Sequence, residues 1–207
     1  MTEHITQRIH VRYAYEADNF MNIARCIYMT DPFIYPSAFG PDIENASRTI
    51  TKLMTIEGNL FDYRRLIVAT IDDQIKGILM YSEPGITWNQ QKCNEAVQDC
   101  IPSMRDFQYV SKNYFSEEVA ISQANHVEIV ACCVAPDARQ QGLAKRMFQY
   151  IIAEKQGYTM SLDVLADNQA AIALYSKCGF AIANSYKGFS MPPDSPPDCY
   201  HMARAKK

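Results

Sequence analysis

The tightest constraint on the fold of this chain lies between Val127 and Phe180. VEIVACCVA, Val127 to Ala135, is a nearly continuous apolar run of the kind expected of a strand buried on both faces. A polar corner containing Gly142 follows, then a helical pattern from Leu143 to Ala153, then a second strand-like run, YTMSLDVLA. This is a strand, helix, strand unit. DNQAAIALYSKCGF continues it with a short helix that opens on Asp167 or Asn168 as N-cap. It lines Ala171, Leu174, Tyr175 and Cys178 along one side and closes at Gly179 as C′ glycine.

The rest of the chain supplies further strands. IHVRYA, Ile9 to Ala14, alternates as a first strand would, and Ala17 to Met29 places Phe20, Ile23, Ala24 and Ile27 on one helical face. Asp31 to Asp42 carries three prolines, one glycine and four large apolar residues, which predicts an ordered aromatic loop. Ile43 to Glu57 returns to a helical pattern. Leu66 to Ile71 and Ile75 to Ser82, parted by Asp72, Asp73 and Gln74, form a hairpin signature. Residues 85–126 lose periodicity, with helix-like stretches at Gln90 to Cys100 and Met104 to Tyr114, and are expected to be an insertion. Phe180 to Tyr186 and Cys199 to Ala203 read as two last strands joined by the turn-rich KGFSMPPDSPPD.

With 207 residues, 48% of them hydrophobic, the chain can bury one sizeable core, so one domain spanning residues 1–207 is expected. A net charge of -3 provides no electrostatic footprint for nucleic acid. Seven cysteines show neither a CxxC pair nor a zinc-like spacing, and the four histidines are scattered, so no metal site is expected. The odd cysteine count fits reduced thiols in a cytosolic protein. The opening residues are polar where a secretory signal would be apolar, and no apolar run is long enough to span a bilayer. A soluble, cytoplasmic protein that engages no membrane, monomeric or homodimeric, is the expectation.

The corner between the first strand and its helix, VAPDARQQGLAK, raises the question of a ligand. A helix start exposes unpaired N–H groups and the positive end of the helix dipole, which suit a phosphate or pyrophosphate. Gly142 removes the side chain where such a group would approach. Arg139, Lys145 and Arg146 add cations. The alternative is an ordinary polar corner whose basic side chains point to water. Neither GxxxxGK[ST] nor a GxGxxG after a strand is present.

VAPDARQQGLA resembles the acetyl-CoA-binding motif of the GNAT superfamily of N-acetyltransferases, [QR]xxGx[GA] after a buried strand ending near V-x-P. Arg139, Gly142 and Ala144 hold the defining positions, with Val134 and Pro136 ahead of them. DNQAAIALYSKCGF resembles the family's second motif, Nxx[AS]xxLYxKxGF, through Asn168, Ala171, Leu174, Tyr175, Lys177, Gly179 and Phe180. The departure is Gln140-Gln141, where the family often has glycine or a second arginine.

The resemblance implies an α/β fold with a central mixed, mostly antiparallel twisted sheet of about six to seven strands flanked by helices, with the insertion ahead of the coenzyme-binding strand. It also implies acetyl-CoA as cosubstrate, held by Cys132, Cys133, Val134, Arg139, Gln140, Gln141, Gly142, Leu143, Ala144, Lys145, Asn168, Tyr175 and Lys177. Cys132 to Val134 would act through backbone groups, as an added strand pairs with an edge. Moving acetyl to an amine needs a neutral amine, an oxyanion donor and a proton for the departing thiolate. By resemblance to histone-acetylating members, whose strand also reads EIV, Glu128 is a candidate general base; its alternative is a strand-end carboxylate paired with a lysine. Tyr175 by resemblance protonates the thiolate, or else packs on the helix. Asn168 bonds the pantetheine arm, or serves as the N-cap. An acyl-cysteine route lacks a nearby histidine to activate the thiol.

The acceptor amine, on a small molecule or a protein, is expected opposite the coenzyme. There Phe33, Tyr35, Phe39 and Trp88 would form an aromatic wall, and Asp31, Asp42 and Glu44 would attract an ammonium group. The rival from another class is a noncatalytic acyl-CoA-binding sensor or interaction module, which needs Arg139 and Gly142 but has no use for Glu128 or Tyr175.

Overall fold

The computed structural model describes residues 8–84, 89–115, 125–188 and 197–206. Among these residues seven strands form a single sheet, numbered along the chain: β1 (Ile9–Tyr13), β2 (Leu66–Ile71), β3 (Gln74–Ser82), β4 (His126–Val134), β5 (Thr159–Leu165), β6 (Ala181–Lys187) and β7 (Asp198–Arg204). Their order across the sheet is β1-β2-β3-β4-β5-β7-β6. Among the described residues only β4 and β5 run parallel, joined through a helix as a parallel pair requires. The hairpin forms where expected. Asp72 and Asp73 both take left-handed backbone (φ 47° and 65°), as a tight two-residue turn demands, and the Asp72 carboxylate accepts from the Arg8 N–H at 3.0 Å.

Two apolar layers sandwich the sheet. One face carries α1 (Phe20–Tyr28), α2 (Ile34–Phe39), α3 (Ile43–Met54), α4 (Gln90–Val97) and α5 (Met104–Val110), packed on Leu66, Val68, Ile78, Met80, Ala131 and Cys133. The other carries α6 (Leu143–Glu154) and α7 (Gln169–Lys177) over Ile67, Leu79, Val127, Ile129, Leu162 and Met202. α1 starts at Phe20 and not Ala17, because the Asn19 side chain accepts from the Asn22 N–H and sets the first turn there. Asp42 caps α3 in the same way, at 2.7 Å from the Asn45 N–H. No described helix is long and apolar enough to cross a membrane.

Two expectations need correction. The aromatic segment after Asp31 contains a helix, α2, whose Pro36 sits in the first turn, where its missing N–H has no intrahelical partner to lose. The second concerns β4, which is not evenly buried on both faces. Val127, Ile129, Ala131 and Cys133 are buried, while the alternate residues are half-buried. Between Met80 and Tyr81 of β3 the β4 partner jumps from Ala131 to Ile129, leaving Val130 as an extra residue in a bulge. Below the bulge the odd positions face α6; above it they face α1. A run of nine residues this apolar hides such a change of phase.

Candidate active site

β4 and β5 pair from His126–Thr159 to Ile129–Leu162 and then separate. Beyond that point, among the described residues, β5 pairs only with β7, and β4 only with β3. The result is a V whose apex lies at Ile129 and Leu162. Among the described residues no strand pairs with Val130 to Val134 on the β5 side, so that run of backbone donors and acceptors opens into a cleft. The bulge at Val130 bends β4 at the same place.

The corner at the top of β4 shapes one wall of the cleft. Gln140 (φ 63°) and Gly142 (φ 81°) both take left-handed backbone, and Gly142 stands directly ahead of α6 with no side-chain cap on the helix. The first-turn N–H groups of α6 therefore face outward unmatched. A Cβ built at Gly142 would meet no atom within 4 Å, so the space above the helix start is open to a ligand. Arg139, Gln140, Gln141 and Lys145 are exposed around it, with Arg139 Nε 3.3 Å from the Val134 carbonyl. Leu143 is buried in the core, so its contribution can only be its backbone N–H; Ala144 is half-buried.

α7 forms the other wall. Asn168 is its N-cap, the side-chain oxygen accepting from the Ala171 N–H at 3.2 Å. Tyr175 packs its ring against Phe148 and Phe180, with centroids 5.1 and 6.4 Å away. Burial, with the nearby Cys132 and Cys178 thiols, raises its phenol well above the ordinary range, so it keeps its proton. Burial likewise pushes up the Cys132 thiol, which counts against a thiolate there. Cys133 points the other way and hydrogen-bonds with Cys26 of α1. Between α6 and α7 lies a cavity of about 500 Å³ lined by Lys145, Lys155, Lys177 and Arg204, with Gln149 and Ile152 beside them.

Glu128 occupies the opposite side of the sheet, one residue before the apex. Ser82 and Ser161 flank it on β3 and β5. Burial, with the Asp163 carboxylate adding to it, pushes Glu128 up to about 7, and His201 pulls the other way. Asp163 and His201 face each other across β5 and β7, Nδ1 to Oδ1 at 2.8 Å, and the Tyr186 phenol of β6 also hydrogen-bonds Asp163. His126 binds both neighbouring hydroxyls, Thr159 through Nδ1 and Ser161 through Nε2, each at 2.8 Å. These residues make a polar strip across five strands, β3 to β7.

The sequence pointed to Glu128 and the α6 corner, and the fold brings them to the same V. Asp163, Tyr186 and His201 had no local signal, because β7 joins them from the far end of the chain. The aromatic acceptor wall is not formed as expected. Tyr35 and Phe39 are buried, 3% and 1% exposed, in a cluster with Phe61, Phe107 and Phe115, because α2 turns them inward; Phe33 is half-buried beside them. Trp88 lies outside the described residues. Glu44 pairs with Arg25 at 2.7 Å and Asp42 caps α3, so each carboxylate already has a partner.

Residues 56–180 match the model of the acetyltransferase (GNAT) family. A 73-residue stretch is 38% identical to the [ribosomal protein bS18]-alanine N-acetyltransferase of Escherichia coli K12, covering 34% of this chain and 49% of that protein. The chain thus spans about half the length of the curated relatives it matches. Among solved structures, an N-acetyltransferase from Staphylococcus aureus Mu50 superposes with a TM-score of 0.67 at 17% identity, covering 94% of this chain and 99% of the other. The ribosomal-protein-S18-alanine N-acetyltransferase from E. coli superposes with a TM-score of 0.55 at 18% identity, covering 95% and 93%. At those identities the superpositions speak for the fold, and the family match covers more than half of the sequence: this chain belongs to the GNAT acetyltransferase family.

Proposed function

We propose that the protein is an N-acetyltransferase that moves acetyl from acetyl-CoA to a primary amine by direct attack in a ternary complex. The observation that carries this is the V between β4 and β5, with a phosphate-suited corner at its top, Tyr175 on the α7 side and Glu128 on the other face. Acetyl-CoA, when bound, supplies an acetyl group activated as a thioester. Its diphosphate suits the α6 N-terminus beside Arg139, Gln140, Gln141 and Gly142, and Lys145 and Lys177 add charge. The unpaired β4 backbone at Cys132 to Val134 suits its amide-bearing arm, with Asn168 at the start of α7 as a further partner.

Glu128 accepts the proton of the acceptor ammonium at a carboxylate oxygen. A base poised near neutral pH combines a large ionised fraction with useful driving force. Tyr175 holds its Oη proton ready for the departing sulfur.

The acceptor is a small-molecule or protein amine, and the printed activity of the relatives brings a peptide N-terminal alanine into the first panel. The test is a panel of amines and peptides with acetyl-CoA, following free thiol release. Turnover above the hydrolysis background on any amine supports the reading. Tight acetyl-CoA binding with no turnover across the panel would favour the sensor module instead.

A further inference from the structure

We propose that the Asp163–His201 pair is the proton outlet of the site, taking from Glu128 the proton that leaves the acceptor amine and passing it to solvent. This rests on the acetyltransferase reading above. The geometry is a diagonal across three strands. Glu128 stands one residue below the apex of the V, Asp163 is the first β5 residue beyond it, and His201 lies directly opposite Asp163 on β7. All three side chains share the face away from α6.

Each group around His201 has a defined engagement. From β4, His126 has both ring nitrogens bound to hydroxyls, and burial, with His201 nearby, lowers its pKa and favours the neutral ring. Glu128, also on β4, is the donor in the relay. From β5, the Asp163 carboxylate accepts from Nδ1–H of His201, which fixes that tautomer and leaves Nε2 as acceptor. From β6, the Tyr186 phenol donates to Asp163 and holds it in place. From β7, the Cys199 thiol is hydrogen-bonded with Tyr186. Among the described residues, Nε2 of His201 is thus the open acceptor at this mouth. The side chains of His201 and Asp163 are 35% and 43% exposed, so the pair opens onto bulk water, while Glu128 is half-buried and burial raises its pKa.

The proton balance is simple. An ammonium N–H proton moves to the Glu128 carboxylate, leaving a neutral amine and a carboxylic acid. That proton then moves through a bridging solvent molecule to His201 Nε2, restoring the carboxylate and forming an imidazolium whose charge Asp163 offsets. The imidazolium releases the proton to bulk water. No other reactant is required.

The test uses the full chain with a competent amine and acetyl-CoA, over pH 6 to 9.5, comparing wild type, His201→Ala and His201→Gln with Asp163→Asn and Glu128→Gln, the last two alone and each combined with His201→Ala. Acetyl-CoA thermal shifts check that each variant is folded and loaded. His201→Ala should lower kcat by about 10- to 100-fold, below the usual span for a direct acid or base because water can substitute partly. Added imidazole should restore much of that loss, and His201→Ala should add little to Glu128→Gln, since the two act in one chain. Independently of turnover, nitrogen-15 NMR should show the Nδ1–H tautomer of His201 in wild type and its loss in Asp163→Asn. Wild-type kcat in His201→Ala across the range would overturn the proposal. So would a loss that imidazole cannot rescue and that leaves the pH profile unchanged in shape, or a wild-type tautomer that does not depend on Asp163. Wild type inactive on every amine would instead sink the acetyltransferase reading, and the outlet with it.

Discussion

Tyr175 and Glu128 flank the same cleft from opposite faces, and their environments push both toward the protonated form for different ends. Tyr175→Phe keeps the ring against Phe148 and Phe180 and removes only the hydroxyl. It should lower kcat by about 10²- to 10³-fold with acetyl-CoA affinity nearly unchanged, as measured by steady-state kinetics and calorimetry. A variant retaining half the wild-type kcat would leave the phenol a packing group. Glu128→Gln should abolish the low-pH limb of kcat, whose midpoint is expected near 7. The same carboxyl carries a stability signature. Its folded-state pKa is raised above the unfolded value near 4.5, so its contribution is fully present below pH 4.5 and is lost as pH rises through about 7. Glu128→Gln should therefore be more stable than wild type at pH 8, relative to their difference at pH 4, by about 2 to 3 kcal/mol in denaturant titrations. Equal pH dependence in the two proteins would mean that Glu128 is ionised and solvated in the fold.

At the scale of elements, the α6 corner carries both strain and openness. Gly142→Val places a branched side chain on a backbone at φ 81°, costing about 1 to 2 kcal/mol, and fills the open space ahead of the helix. The variant should remain folded by circular dichroism and lose its acetyl-CoA thermal shift; normal binding would make the corner purely structural. Asn168→Ala should cost about 1 kcal/mol through the lost cap. The corner and α7 were legible in the sequence because their signals are local: Arg139 to Gly142 in four residues, Asn168 to Phe180 in one short helix and its flanks. The Asp163–His201 pair was not, since 38 residues separate its members and their meeting depends on β7 entering between β5 and β6. The bulge at Val130 was hidden by apolar residues on both sides of it. The reading of Tyr35 and Phe39 as a ligand wall failed because aromatic residues near prolines carry no signal of which way a short helix will turn them.

For the whole molecule, ligand occupancy and folding stability are linked. At about 100 times its Kd, acetyl-CoA should add about 2.7 kcal/mol, which for a chain of this size raises Tm by roughly 5 to 10 °C; ATP and NADH at equal concentration should not. Equal shifts with ATP would reduce the site to a generic phosphate binder. The V gives that linkage a further meaning. A sheet split after four paired rungs leaves a length of β4 backbone unsated in the middle of the protein, the kind of edge that recruits stray extended chains and admits proteases when it frays. On this reading the cosubstrate is also a chaperone, completing the sheet each time it binds. Pulse proteolysis should show the empty protein cleaved faster, and in a cell poor in acetyl-CoA the enzyme itself should become scarce, so that its abundance follows metabolic supply before catalysis does.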